Sequence, residues 1–191
     1  SGNKNLSPEK SNTLELYADL RLNNYLSSSV RGFRSNIKNN IEYINNKYQN
    51  DSDDIDLNQS GINFDISFKN KNFFIKTFSS FLSSKKEDGS DQTRRPEKNY
   101  GVKISKNIDN ELIGNVNFHL LYNHYGKHFD IDSINFNTVE MDSTDLIDLK
   151  ILKSFNNAEY YLKITNLLKE KYQRPHGYNQ DERIIKLGFK Y

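Results

Sequence analysis

The chain has 191 residues, 27 basic and 25 acidic, with four histidines, no cysteine and a formal net charge of +2. The charges are scattered rather than striped, so no nucleic acid is expected as a partner. The lack of cysteine excludes disulfides, thiol catalysis and cysteine metal sites. Apolar residues make up 35%, aromatics 13%, and the mean hydropathy is −0.86. No run reaches the roughly 18 to 20 apolar residues of a membrane helix. A helical membrane protein is thereby excluded, but a barrel is not, because barrel strands need only every second residue to be apolar.

The chain starts Ser1-Gly2-Asn3, with no Met, basic stretch or apolar stretch of a leader, so a processed start or a fragment is expected. Nine segments then read as strands: 12–20, 25–44, 59–69, 73–84, 98–107, 112–125, 139–153, 158–170 and 183–191. Several alternate with a period of two, the mark of a strand with two unlike faces. Ile62, Phe64, Ile66 and Phe68 oppose Asn63, Asp65, Ser67 and Lys69. Val116, Phe118, Leu120 and Tyr122 oppose Asn117, His119 and Asn123. Ile147, Leu149 and Ile151 oppose Asp148 and Lys150, and Tyr160, Leu162 and Ile164 oppose Glu159, Lys163 and Thr165. The segment 73–84 is less regular, with Phe on both faces. The last strand sets Ile185, Leu187, Phe189 and Tyr191 against Lys186, Gly188 and Lys190. That terminal pattern fits the closing strand of an outer-membrane barrel, apolar row to lipid and polar row to lumen; it equally fits the last strand of a soluble sheet.

The connections alternate in length. Arg21–Asn24, Asn70–Asn72, Ile108–Glu111 and Ser154–Asn157 are short, whereas Asn45–Gly61, Lys85–Lys98, Gly126–Thr138 and Lys171–Glu182 are long and polar. Bacterial barrels sort their loops this way, with short turns periplasmic and long loops extracellular. Nine strands are an odd number, and an unclosed sheet in lipid leaves backbone groups unpaired at several kcal/mol each. The expected fold is therefore all-β: nine antiparallel strands, an open C-terminal part of a larger transmembrane β-barrel, spanning residues 1–191 as one unit.

Specific motifs then carry a family resemblance. Gly2-Asn-Lys-Asn-Leu-Ser-Pro-Glu-Lys-Ser11 resembles the G-N-x-x-L-x-P-E-x-S signature of TonB-dependent outer-membrane receptors. Arg34 to Tyr43 is similar to an ascending strand of that family, and Thr93-Arg-Arg-Pro96 to the R-R-P that opens the next descending strand. Lys163 to Leu167 with Lys169 to Tyr172 resembles its penultimate strand, and Gly177-Tyr178 followed by Arg183 to Tyr191 its closing loop and strand. The motifs run in order over the whole chain. The stretch Thr138-Val-Glu-Met141, the short loops and the length are most similar to the cobalamin transporter branch.

This resemblance implies the C-terminal part of a 22-stranded barrel whose plug domain and earlier strands lie outside the sequence. It implies an outer-membrane location in a Gram-negative bacterium and energy-coupled uptake of cobalamin or another large ligand, such as a siderophore or haem. It implies no enzyme activity and no cofactor. Implied partners are the nutrient ligand, TonB through the plug, outer-membrane lipid and lipopolysaccharide, and the barrel assembly machinery through Tyr191. The other open reading is a soluble β-rich binding domain, for instance a surface carbohydrate binder.

Site residues follow from the resemblance. Arg94, the first arginine of the pair, matches a ligand-contacting position, and its planar fork suits amide or phosphate oxygens; a solvated loop charge or a lipopolysaccharide contact is the plainer role. The family's loop tyrosine falls near Ser133, with Phe136 the nearest aromatic. Asp51, Asp53, Asp54 and Asp56 read as a solvated acidic loop, since their spacing matches no calcium motif. His119, His124, His128 and His176 are dispersed and form no metal site by spacing. Glu15, Asp19, Asp65, Asp148 and Glu159 alternate with apolar residues and read as lumen-lining groups rather than paired catalytic carboxylates.

Overall fold

The computed structural model describes residues 3–44, 47–50, 57–86, 88–110, 114–132, 134–155 and 157–190. Among them there is no helix. Nine strands form one antiparallel meander: β1 (Lys10–Arg21), β2 (Leu26–Lys38), β5 (Leu57–Lys69), β6 (Phe73–Lys86), β7 (Lys98–Asn110), β8 (Gly114–Tyr125), β11 (Thr144–Phe155), β12 (Ala158–Thr165) and β13 (Ile184–Lys190). Two small hairpins stand apart from this sheet, β3 (Ile41–Ile44) with β4 (Lys47–Asn50), and β9 (His128–Ile131) with β10 (Thr138–Met141). Among the described residues β1 and β13 are edge strands.

The expected strand order and number hold, and the differences lie on the long-loop rim. The segment read as 25–44 breaks at Asn39, whose φ of 56° lies in the left-handed region, and its end folds back as β3. The segment 139–153 divides at Asp142-Ser143; its first part pairs with β9 instead of joining the sheet. The strand read as 158–170 stops at Thr165, because Asn166 takes a φ of 52° and turns the chain away. Asn tolerates that region better than most residues, which is why these breaks occur where they do.

The pairing register turns nine separate alternations into two continuous faces. Leu26, Phe68, Ile75, Ile104, Leu120, Leu149, Ile164 and Ile185 stand on one register line across eight strands, and every one is apolar. The rows beside it carry Ile62, Phe64 and Ile66 on β5 and Leu187 and Phe189 on β13, all exposed. Leu187 and Phe189 expose 77% and 71% of their surface. Among the described residues no second layer covers this face, so its apolar area is buried only if lipid or another body supplies the cover.

The other face is more polar and, on β5, more sheltered: Asn63, Asp65 and Ser67 are half-buried while their neighbours Ile62, Phe64 and Ile66 are exposed. Glu15, Asp19, Asp65, Asp148 and Glu159 all fall on this inner row by register. Lys76 pairs with Asp65 at 2.9 Å, and Ser29 donates to the same carboxylate.

Three inner glycines explain how aromatics fit on a wall that must stay thin. Phe33 lies over its cross-strand partner Gly61, Phe78 over Gly101, and Tyr161 over Gly188. A Cβ built on Gly188 would meet the Tyr161 ring at 2.5 to 2.6 Å. The missing side chain is the seat of the ring, and aromatic cover of a strand glycine repays part of its entropic cost. Because the rings lie down, the inner side stays open.

The two rims are built differently. At the short-turn rim, Asn23 Oδ1 accepts the Tyr25 and Leu26 amides at 2.8 and 2.9 Å. Asn70 Oδ1 accepts the Asn72 and Phe73 amides at 3.0 and 2.8 Å. Each turn is closed by its own asparagine. At the other rim the long connections lean on one another.

Candidate functional site

The long-loop rim is organised by Asp130 on β9. Its side chain is 1% exposed, among the most sheltered of the described residues. Burying a carboxylate is costly unless its lone pairs are filled, and here they are. Arg94 Nε donates to Oδ1 at 2.7 Å, the His176 amide to Oδ2 at 2.8 Å, and the Ile131 amide to Oδ1 at 2.8 Å. Burial pushes this carboxyl up, but the His176 amide, the Arg94 guanidinium and the Ile131 amide more than offset it, and the net shift is downward. Asp130 is therefore an anion that ties three segments into one body: the β6–β7 connection, the β9–β10 hairpin and the β12–β13 connection.

The backbone reinforces the tie. The Arg94 amide donates to the Phe129 carbonyl at 2.6 Å, and Arg94 takes a φ of 62° to do so. Farther along, Asn166 is a second clasp. Its amide donates to Asp148 Oδ1 at 2.9 Å, its side-chain oxygen accepts the Glu170 amide, and its side-chain nitrogen reaches the Glu170 and Asp181 carbonyls. The start and end of the β12–β13 connection are thus held together at the top of the sheet.

Beside Asp130 lies a cleft of about 330 Å³, lined by Arg94, Asn99, Tyr125, His128 and Arg174 among others. Asn99 and Tyr125 pair across β7 and β8 on the inner face, so the cleft opens to the sheltered side. The Arg174 guanidinium sits 4.2 Å from the Tyr125 ring centroid, a cation–π contact that fixes its plane. Arg94 uses one nitrogen on Asp130 and exposes 61% of its side chain. Two buried polar atoms near by, Asn99 Oδ1 and His176 Nδ1, have no partner among the described residues. Two oriented guanidinium groups can hold a ligand that presents anionic or carbonyl oxygens.

Of the residues expected at the site, Arg94 lines this cleft and touches the Gly126–Thr138 connection through Asp130 and the Phe129 carbonyl. Phe136 does not line it; it stands at the tip of the β9–β10 hairpin with a φ of 56° and 65% exposed. Ser133, the acidic residues Asp51 to Asp56 and Tyr191 lie outside the described residues. The histidines stay apart in function: His119 accepts or donates to Ser105 on the inner face, and His124 pairs with Asp145 on the outer face. No group of metal-ligating side chains occurs among the described residues. Sequence reasoning missed Asp130, Asn99, Tyr125 and Arg174. Only the phase of the alternation, which puts Asn99 and Tyr125 on the polar row, could have pointed to two of them.

No protein-family model matches this chain, and no curated protein sequence matches it. Solved structures do. The ferripyoverdine receptor of the outer membrane of Pseudomonas aeruginosa superposes with a TM-score of 0.78 at 15% identity, over 96% of this chain and 27% of that one. The FrpB iron transporter from Neisseria meningitidis gives a TM-score of 0.75 at 11% identity, over 99% and 32%. The ferric-catecholate import receptor Fiu from E. coli K12 gives 0.74 at 16% identity, over 98% and 28%. The chain spans about 27 to 32% of the length of these structures. What is shared at such identity is the fold: the nine-stranded sheet is that of a stretch of barrel wall in outer-membrane receptors.

Proposed function

We propose that this chain is the C-terminal wall of a TonB-dependent outer-membrane receptor that takes up a large ligand, cobalamin or an iron–siderophore chelate. It is a transporter wall and a selectivity surface, not an enzyme. The observation that carries the reading is the single-layer sheet with an unbroken apolar register line across eight strands and a polar, sheltered inner face. A soluble binding domain would cover that apolar face with a second layer, and none is present among the described residues. The order and placement of the motifs support the same family, and the sorted loops support an extracellular long-loop rim. The solved structures of similar fold are described as iron and ferric-siderophore receptors, which favours an iron chelate over cobalamin. TonB would act through a plug, and lipid and lipopolysaccharide would meet the outer face.

Within this reading the cleft of Arg94, Asn99 and Arg174 faces the vestibule and contacts the ligand. The test is titration of the receptor carrying this chain, in outer-membrane preparations, with cobalamin and a panel of ferric siderophores. One ligand is expected to bind. Arg94→Ala then weakens it by about one to two decades, the equivalent of about 1.5 to 3 kcal/mol for a charge-assisted hydrogen bond. Heat-modifiable gel mobility stays unchanged in Arg94→Ala, whereas Tyr191→Ala impairs assembly and spares the binding surface. Normal binding by Arg94→Ala removes the ligand-contact role and leaves Arg94 as the partner of Asp130 alone. If no ligand of the panel binds, the receptor reading fails.

A further inference from the structure

At the long-loop edge of the outer face, the register sets Tyr100 on β7 against His124 on β8, and His124 against Asp145 on β11. One line lower on the same face stand Val102, Tyr122 and Ile147, the top of the apolar band. β8 ends at Tyr125 and β11 begins at Thr144, so this polar group sits where the wall leaves that band. The His124 ring Nδ1 and the Tyr122 hydroxyl both donate to Asp145 Oδ1, at 2.8 and 2.7 Å. The other oxygen, Oδ2, has no partner among the described residues, and the side chain is 50% exposed. The Tyr100 ring stacks on His124, with centroids 4.4 Å apart and 15° between planes, and its outer side is open. Lys98, two residues from Tyr100 and on the same face, is exposed. Among the described residues no carboxylate lies within ion-pair distance of it.

The wall thus shows lipid one carboxylate oxygen and one ammonium, each without its counter-charge. Tyr100 and Asp145 are two strand spacings apart, roughly 10 Å, and a lysine stem can lie along the surface toward such a gap. A head group with a phosphate alone would suit Lys98 and be repelled by Asp145. A free cation would do the reverse. A head group that carries both charges meets both residues, and the Tyr100 ring between them offers its face to the ammonium. A primary ammonium suits Asp145 Oδ2 better than a quaternary one, because it donates a charge-assisted hydrogen bond. We propose that Lys98, Tyr100 and Asp145 form a seat for a zwitterionic lipid head group of the phosphoethanolamine type, its phosphate on Lys98 and its ammonium on Asp145. Tyr122 and His124 are positioning residues that turn Oδ2 outward. The proposal rests on the reading that this face meets lipid, and it is independent of the ligand taken at the rim cleft.

The test uses the receptor carrying this chain in nanodiscs of equal parts phosphatidylethanolamine, phosphatidylcholine and phosphatidylglycerol. Native mass spectrometry identifies the last lipid retained as collision energy is raised. Phosphatidylethanolamine is expected to exceed each of the other two about fivefold, the equivalent of about 1 kcal/mol for one exposed ion pair. This comparison needs no variant. Asp145→Asn keeps the shape and an acceptor for Tyr122, and is expected to abolish the preference over phosphatidylglycerol. Lys98→Gln is expected to lower retention of phosphatidylethanolamine and phosphatidylglycerol alike. Equal retention of the three lipids overturns the proposal, as does a preference for phosphatidylglycerol, which would make the edge a seat for phosphate alone. A preference for phosphatidylethanolamine that survives Asp145→Asn overturns it too. A receptor that does not enter the discs overturns the membrane-wall reading and this proposal with it; entry without lipid preference overturns this proposal alone.

Discussion

The two rims of this sheet solve the same problem, returning the chain to the next strand, by different chemistry. The short-turn rim uses neutral asparagines that act within three residues of themselves, Asn23 on Tyr25 and Leu26, and Asn70 on Asn72 and Phe73. The long-loop rim uses Asp130 to hold Arg94, 36 residues away, and His176, 46 residues away. A local amide turn forms as soon as its own residues meet. A carboxylate clasp forms only after three connections have been brought together, and it can be undone by acid or by deleting one side chain. The cleft lined by Arg94 and Arg174 sits on the second kind of rim, where one residue shapes the positions of several others.

Deleting the clasp is the strongest test of this contrast. Asp130→Ala is expected to release the long-loop rim and spare the short-turn rim. The deletion strands no buried charge, since Arg94 is 61% exposed, but it takes the acceptor from the His176 and Ile131 amides, at about 1 to 3 kcal/mol for each that stays unsatisfied. Hydrogen exchange should rise in 90–97, 128–141 and 170–182 and stay unchanged around Asn23 and Asn70. Equal exchange at both rims would break the comparison.

Acid is the milder form of the same experiment. The Asp130 carboxyl is held below its ordinary value in the folded rim. Its stabilising contribution is therefore complete above the ordinary carboxylate range, near pH 3.9, and is lost as pH falls through the lowered folded value. Asp132 at the hairpin tip is lowered as well, by the Ile134 amide first. Limited proteolysis at falling pH should cut the long-loop connections first. The asparagine turns are closed by neutral amide oxygens, which do not titrate, and should show no such dependence.

Asn166→Ala comes next. It removes two side-chain donor contacts and an acceptor, and forces Ala into a left-handed φ of 52°. A cost of about 2 kcal/mol is expected from the unpaired groups and the backbone preference. Its effect should be confined to faster exchange over 166–183, with the β9–β10 hairpin unchanged. If that hairpin loosens as well, Asp130 and Asn166 are one cooperative unit rather than two clasps.

The smallest effect is expected at the short turns. Asn70→Ala removes a cap to two amides and should cost about 1 kcal/mol, felt only in the fraying of the β5–β6 turn. Combined with Asp130→Ala it should add without coupling, because sites far apart with no shared partner are additive within about 0.5 kcal/mol.

How much of this was legible in the chain differs between wall and rim. Alternation in 59–69, 112–125 and 158–165 marked the faces because period two is a property of neighbouring residues, and the loop lengths sorted the rims. The segment 73–84 was harder to read for a physical reason found only in the structure. Phe78 points inward and would crowd the polar face, but it lies over Gly101 on the next strand. The breaks at Asn39 and Asn166 were missed because nothing in a run of β-formers says which Asn will take a left-handed φ. Arg94 was reached through the motif that holds it. Asp130 was not, since one Asp in His128-Phe-Asp-Ile131 looks like any other until its three partners arrive from distant positions.

The sequence by itself determined the nine strands of the main sheet, their two faces and the alternation of short and long returns, but not the two rim hairpins. What it determined follows from periodicity and turn chemistry within a few residues. Only the tertiary structure decided what the faces and rims do. Register alone could align the apolar residues into one line across eight strands, set Tyr100, His124 and Asp145 abreast, and lay rings on glycines. Packing alone could bury Asp130 where Arg94 and the His176 amide converge. Register and packing join residues dozens of positions apart, and no local pattern in the chain encodes those distances.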